Sequence, residues 1–175
     1  SVLRWQEGVR DTLSWLSLDQ QLSSALILAV IWQESDGDPS AWRPERHYRY
    51  LWNVKTHEPF RLLSDQEISS EKPPDDFPYL AGSRIQEWWG QQVSWGLTQL
   101  MGGAAREQGF KGKYLPALVH DPMLNLEFGI KHLWNYAFQK GNRSTTDALL
   151  RWNGGGDPDY DDKVLAKMAE IAKVI

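Results

Sequence analysis

The sequence predicts a mainly α fold interrupted by one long irregular segment. Three observations carry that expectation. Apolar residues recur at helical spacing on both sides of the middle of the chain. Ser, Asp, Pro and Gly stand where such helices would start and stop. Between about residues 44 and 92 the helical rhythm gives way to prolines, aromatics and charges.

The first helix is predicted from Val2, Trp5, Val9, Leu13 and Leu16. Ser17-Leu18-Asp19-Gln20 has the form of a capping box and predicts a second helix over about Asp19 to Ser35. Leu22, Ala25, Leu26, Ala29 and Val30 give it one apolar face, and Ile27, Leu28, Ile31 and Trp32 fill much of the rest. A helix apolar nearly all round is a central one. Asp36-Gly37-Asp38-Pro39 stops it. In the irregular segment, Tyr48 to Val54 reads as a strand, His57-Glu58-Pro59 as a turn and Glu71 to Asp76 as loop. A tract this long with its own apolar residues is a folded excursion rather than a linker. Helical signals resume near Gly96. The best-punctuated helix runs from Asp121, with Pro122 at its first position, to Lys140 before Gly141. Ser144-Thr145-Thr146-Asp147 caps the next helix, and Gly154-Gly155-Gly156 ends it. The last helix spans about Tyr160 to Ile175, with Asp161 and Asp162 at the favourable end of its dipole.

The chain has 175 residues, a length suited to one domain over 1–175 with 44–92 as an inserted excursion. Its net charge of −4 leaves no basic footprint for nucleic acid. It has no cysteine, which removes disulfides, thiolate metal sites and thiol nucleophiles together. The longest apolar run, Ala25 to Trp32, falls short of the roughly 20 residues that span a bilayer. No signal peptide is visible, although a chain beginning at Ser1 is compatible with a mature or trimmed product. His47, His57, His120 and His132 lack metal-ligand spacing, so neither metal nor cofactor is expected.

Glu34 is the most informative residue. By helical steps it shares a face with Ile27, Val30 and Ile31. Burial penalises the ionised carboxyl and raises its pKa, which is what a general acid needs. Position alone leaves two readings, a protonated acid or a frayed helix end in water. The breaker cluster that follows favours the first, because it sets the carboxyl at a helix end beside a loop. Gly96-Leu97-Thr98-Gln99 could let backbone approach a ligand or simply start a helix. Trp152-Asn153 before a glycine turn, with Tyr160 beyond, suits sugar binding or a core Trp beside a capping Asn.

In their order these motifs resemble the lysozyme-like superfamily of soluble lytic transglycosylases and goose-type lysozymes. Glu34-Ser35 resembles that family's catalytic Glu and the Ser after it. Gly96-Leu97-Thr98-Gln99 resembles its Gly-Leu-Met-Gln, with Thr98 for Met. Arg151-Trp152-Asn153-Gly154-Gly155 resembles its Ala-Tyr-Asn-Ala-Gly, and Tyr160 its later tyrosine. The resemblance covers about 19–175 without the excursion. It implies a lysozyme-like helical fold and peptidoglycan glycan strands as partner, with action at the bacterial cell wall by a bacterial or phage-encoded protein. It implies Glu34 as the catalytic acid, with Ser35, Gly96, Gln99, Trp152, Asn153 and Tyr160 binding substrate or supporting the acid.

Two outcomes are then open. A hydrolase brings in water with a second carboxylate. A lytic transglycosylase instead lets the deprotonated Glu activate the MurNAc 6-hydroxyl, which closes a 1,6-anhydro ring. Goose-type lysozymes carry Asp where this chain has Met101, which favours the transglycosylase. Asp65, Glu67, Glu71, Asp75, Asp76 and Glu87 of the excursion are expected to be solvated loop charges. Many transglycosylases place a Ser nine positions before the motif's Gln, which by direct count is Gly90, with Ser94 out of register. Tyr48, Tyr50, Trp52, Trp88 and Trp89 would either stack on sugars or form a satellite core, the latter being favoured. The rival from another class is a wall-binding module of a larger assembly that has lost turnover. Retention of an acid on an apolar face argues against it, since such a group costs stability.

Overall fold

The computed structural model describes residues 1–113, 115–139 and 142–175. A 3-10 turn, Val2–Trp5, leads into α1 (Gln6–Trp15), which buries Val9 and Leu13. Ser17 then takes a left-handed backbone (φ 57), and the amides of Ser17 and Leu18 turn back onto Ser14 and Leu13 carbonyls. The expected capping box at Ser17 is therefore the stop of α1 and not the start of the next helix. That helix, α2 (Ser24–Ser35), begins later, where the Ser23 hydroxyl accepts the Leu26 amide at 3.1 Å. Leu26 to Ile31 are all buried, as the all-round apolar pattern requires. Asp36 ends α2 with a left-handed residue (φ 53) whose amide reaches the Trp32 carbonyl.

β1 (Trp42–Pro44) follows, and the chain then leaves on the excursion. Within it β2 (Trp52–Asn53) pairs with β3 (Glu58–Pro59), and two helices follow, α3 (Asp65–Ile68) and α4 (Arg84–Gln91). The strand expected over Tyr48 to Val54 is only two residues long. The reason is Gln91, whose side-chain amide takes the place of a neighbouring strand: it accepts from Trp52 N at 2.8 Å and donates to Trp52 O at 3.0 Å. Glu58 and Pro59 form the returning strand and not the turn; the turn is made by the residues before them, closed by the Asn53 side chain and by His57 at φ 58. Helix resumes at Arg84, before Gly96, behind a full capping box of Ser83 and Gln86.

The excursion returns as β4 (Val93–Trp95), which lies between β1 and β5 (Leu100–Met101) in one antiparallel sheet. Arg43 is opposite Ser94, and Pro44 opposite Val93. The excursion is thus inserted between two paired strands. Beyond the sheet come α5 (Gly102–Glu107), α6 (Ala117–His120) and α7 (Pro122–His132). Asp121 caps α7 through the Met123 and Leu124 amides, with Pro122 at its first position, as expected. From Leu133 to Gln139 the helix continues as π-helix; its expected end at Lys140 and Gly141 lies outside the described residues. Ser144 caps α8 (Thr145–Asn153), left-handed Gly154 ends it, and α9 (Tyr160–Ile171) stops short of the expected Ile175.

The main core gathers the inward faces of α1, α2, α7, α8 and α9. A second cluster lies under β4, β5 and α5 to α7, and a third, Leu51, Phe77 and Trp88, supports the excursion. Trp88 is therefore core and not a stacking surface, while Tyr50 is 78% exposed. Of the six excursion carboxylates singled out in the sequence, four are in ion pairs. Glu67 and Asp76 hold Arg61, and Glu71 lies 3.6 Å from Arg46. Glu87 corrects the expectation of solvated charge: it is buried, paired with buried Arg106 through two bonds of 2.8 Å, and also accepts from Gln91. Arg106 completes its bonding on the Phe110 and Gly112 carbonyls.

Candidate active site

Glu34 occupies the last turn of α2, half-buried. Its Oε1 accepts two hydrogen bonds, from the Tyr160 hydroxyl at 2.5 Å and from the Trp152 indole N–H at 3.0 Å. These donors come from neighbouring ends: Trp152 from the last turn of α8, Tyr160 from the first residue of α9. The glycine turn between them is braced by Asn153, whose Nδ2 donates to the Asp157 carbonyl at 3.0 Å. Gly37, just past α2, is gripped from the other side, its carbonyl accepting from Arg4 (2.7 Å) and the Trp5 indole (2.9 Å).

Burial raises the Glu34 pKa above its usual 4.5, and it outweighs the Tyr160 and Trp152 donors and the positive charge of Arg43, all of which favour the ionised form. Burial and the adjacent Glu34 carboxyl together hold the Tyr160 hydroxyl protonated far above the ordinary tyrosine range. A carboxyl whose native pKa is raised keeps its proton when the unfolded chain has lost it, so stability falls as pH rises above 4.5 toward the native pKa. Glu34→Gln removes that linkage. The variant is expected to match the wild type in thermal unfolding below pH 4.5 and to gain on it progressively above. A constant difference across that window would mean that Glu34 titrates normally.

The turn from Gly96 to Gln99 joins β4 to β5, so the sequence here is a hairpin and not a helix start. Gly96 has φ +67, and a Cβ there would stand 2.7 Å from the Leu118 carbonyl and 2.6 Å from Asn125 Nδ2. What approaches this glycine is protein. Ser35 ties α2 to the turn by donating to the Leu97 carbonyl at 2.8 Å, with the Ile31 carbonyl 3.2 Å away. Gln99, left-handed at φ 49, donates to the Gly96 and Ala41 carbonyls and accepts from Ser94 at 2.9 Å. Its amide thus holds the sheet together and makes no bond to Glu34. Thr98, in place of methionine, is buried with its hydroxyl and amide on Asn125 Oδ1.

Glu34, Trp152 and Tyr160 therefore meet directly, while Ser35, Gly96, Gln99 and Asn153 shape the surrounding backbone. Ser94, Arg43 and Asn125 belong to the same constellation and are hidden from a linear count. Counting to Gly90 lands in α4, where that buried glycine accepts the Trp95 indole. Counted across the excursion, the residue paired with Ser94 is Arg43. His132 lies 5.5 Å from the Trp152 ring and stacks on Tyr136 at 4.9 Å; burial pushes its pKa down to about 4, so it backs the indole as a neutral ring.

A helix-end glutamic acid, tied through Ser35 to the hairpin and held by donors from two later helices, sits in a mainly α, lysozyme-like domain. Residues 16–175 match the model of the Transglycosylase SLT domain, and the chain belongs to that family. It is a peptidoglycan transglycosylase-type enzyme that acts on the cell wall. No curated protein and no solved structure matches it significantly. No helix among the described residues is long and apolar enough to cross a membrane.

Proposed function

We propose that the protein is a lytic transglycosylase that cleaves the MurNAc–GlcNAc β-1,4 bond with Glu34 as acid and then base. The observation that carries this reading is the asymmetric bonding of the Glu34 carboxyl. Oε1 is saturated by Tyr160 and Trp152, so the proton belongs on Oε2, free to be offered to a glycosidic oxygen. Transfer of that proton releases the leaving sugar as an alcohol while the C1–O bond breaks toward an oxocarbenium-like state. Glu34, now ionised and stabilised by its two donors, takes the proton of the MurNAc 6-hydroxyl as O6 bonds to C1. The acid is regenerated, no water is consumed, and the product ends in 1,6-anhydroMurNAc.

Met101 at the position of the hydrolytic Asp supports this over a lysozyme, as do the ion pairs that occupy Glu67, Glu71, Asp76 and Glu87. Ser35, Gly96 and Gln99 would hold the hairpin edge against the sugar; Trp152, Asn153 and Tyr160 would form the opposite side. Mass spectrometry of muropeptides released from purified walls is the test. Anhydro ends, one water lighter than reducing ends, are expected. Reducing ends alone would make the protein a lysozyme-type hydrolase.

A further inference from the structure

The excursion also reaches the site's walls near Tyr48. On one wall, the hairpin runs through Met101 into α5. On the other, Trp152 continues through His132 to Tyr136 of the π-helical segment. The two walls are bridged by Gln108 at the end of α5, which bonds His132 Nδ1 (3.3 Å) and accepts from Asn135 (2.8 Å). Tyr48 packs on the first of these walls. Its Cε1 would lie 3.1 Å from a Cβ on Gly103 of α5, the Tyr50 carbonyl 2.9 Å from the same point. The hydroxyl of Tyr48 is near enough to Glu107 and Tyr136 to feel both electrostatically. Tyr50 packs edge-on against Tyr48 at 5.8 Å.

This crossing segment is fixed. Glu45 N donates to the Gln92 carbonyl, Tyr48 N to the Glu45 carbonyl, and Gln91 clasps the Trp52 peptide from both sides. Leu51 between them is 2% exposed in the satellite core. An ordered ring held on one wall and within electrostatic reach of the other is a barrier, not a lid.

We propose that Tyr48 and its neighbours close the glycan cleft on the side of α5 and the π-helical segment, so that the enzyme works from strand ends. The proposal rests on the reading of Glu34 as the cleaving acid. A strand that cannot run on past Tyr48 can be seated only by its terminus, and the number of sugars between Glu34 and the barrier sets the length of each released fragment.

Long uncrosslinked glycan strands, sampled early in digestion and sized by chromatography, test this. Wild type is expected to release short fragments of uniform length from the first samples while the long strands shorten gradually. Tyr48→Ala removes the ring and should shift early products to a broad range of intermediate lengths; Tyr48→Phe should keep the wild-type pattern. Gly103→Ala places a methyl 2.9 Å from the Tyr50 carbonyl and 3.1 Å from the Tyr48 ring, lifts the crossing segment off α5 and should act like Tyr48→Ala. Intermediate fragments from wild type at the outset would overturn closure while leaving Glu34 its role. Wild-type patterns from both opening variants would likewise overturn it. Strands left uncut by the wild type, in contrast, would overturn the reading of Glu34 itself.

Discussion

Glu34→Gln is expected to lower the clearing rate of purified cell walls by about 10²–10⁴-fold, the usual contribution of a positioned general acid or base. The substitution is nearly isosteric. The glutamine carbonyl oxygen can still accept from Tyr160 and Trp152, so the surroundings of the side chain survive. What is lost is the transferable proton on the other atom, and with it both half-reactions. Turbidity loss against time measures the effect, and the thermal profile above pH 4.5 reports that the variant is folded. Equal clearing by wild type and variant would overturn Glu34 as the acid, whereas no clearing by either would leave a wall-binding module in place of the enzyme proposed.

Glu87→Ala is expected to cost about 3–5 kcal/mol, because removal of one partner leaves a buried charge without compensation. Arg106 is 1% exposed at its side chain, and its Nε and Nη2 would lose their acceptors together. Gln91 would lose its bond to Glu87 as well, loosening its hold on the Trp52 peptide. For a chain of this size the loss corresponds to a fall in Tm of roughly 6–20 °C, measurable by calorimetry. Paired replacement of Glu87 and Arg106 by apolar residues of similar volume should restore much of it, since a buried ion pair adds little over good packing. A Tm unchanged in Glu87→Ala would mean that water reaches Arg106 and that the pair is not sealed.

The residues that could be read from sequence are those whose partners are local. Asp121 with Pro122, Ser144 before α8 and Asp36 after α2 act within one helical turn, and each stands where its pattern implied. Glu34 was legible because helical periodicity alone places it beside Ile27, Val30 and Ile31. Features that depend on distant chain were not. The hairpin at Gly96 rests on β1 across the whole excursion, and its strands are too short to show alternation. The bond of Ser94 to Gln99 and its pairing with Arg43 likewise depend on strands that meet only in the folded chain. Glu87 resembles any solvated helix acid until Arg106 is brought against it. At Ser17 the pattern misled: the same residue types that start a helix also serve a left-handed stop, and the backbone closing α1 decided between them. The capping box at Ser83 and Gln86, by contrast, was present in the sequence and marks α4, hidden among prolines and charges.

The chain departs on its excursion at Pro44 and returns at Val93, two residues that face each other across paired strands. Entry and exit are therefore only about 5 Å apart, and the excursion is a cassette tied back to the sheet by the Trp95 indole on the Gly90 carbonyl. A donor loop of any length can be grafted between these two points, provided it brings its own small core. It would leave Arg106 bereft of Glu87, so a successful transplant must replace that arginine in the same step.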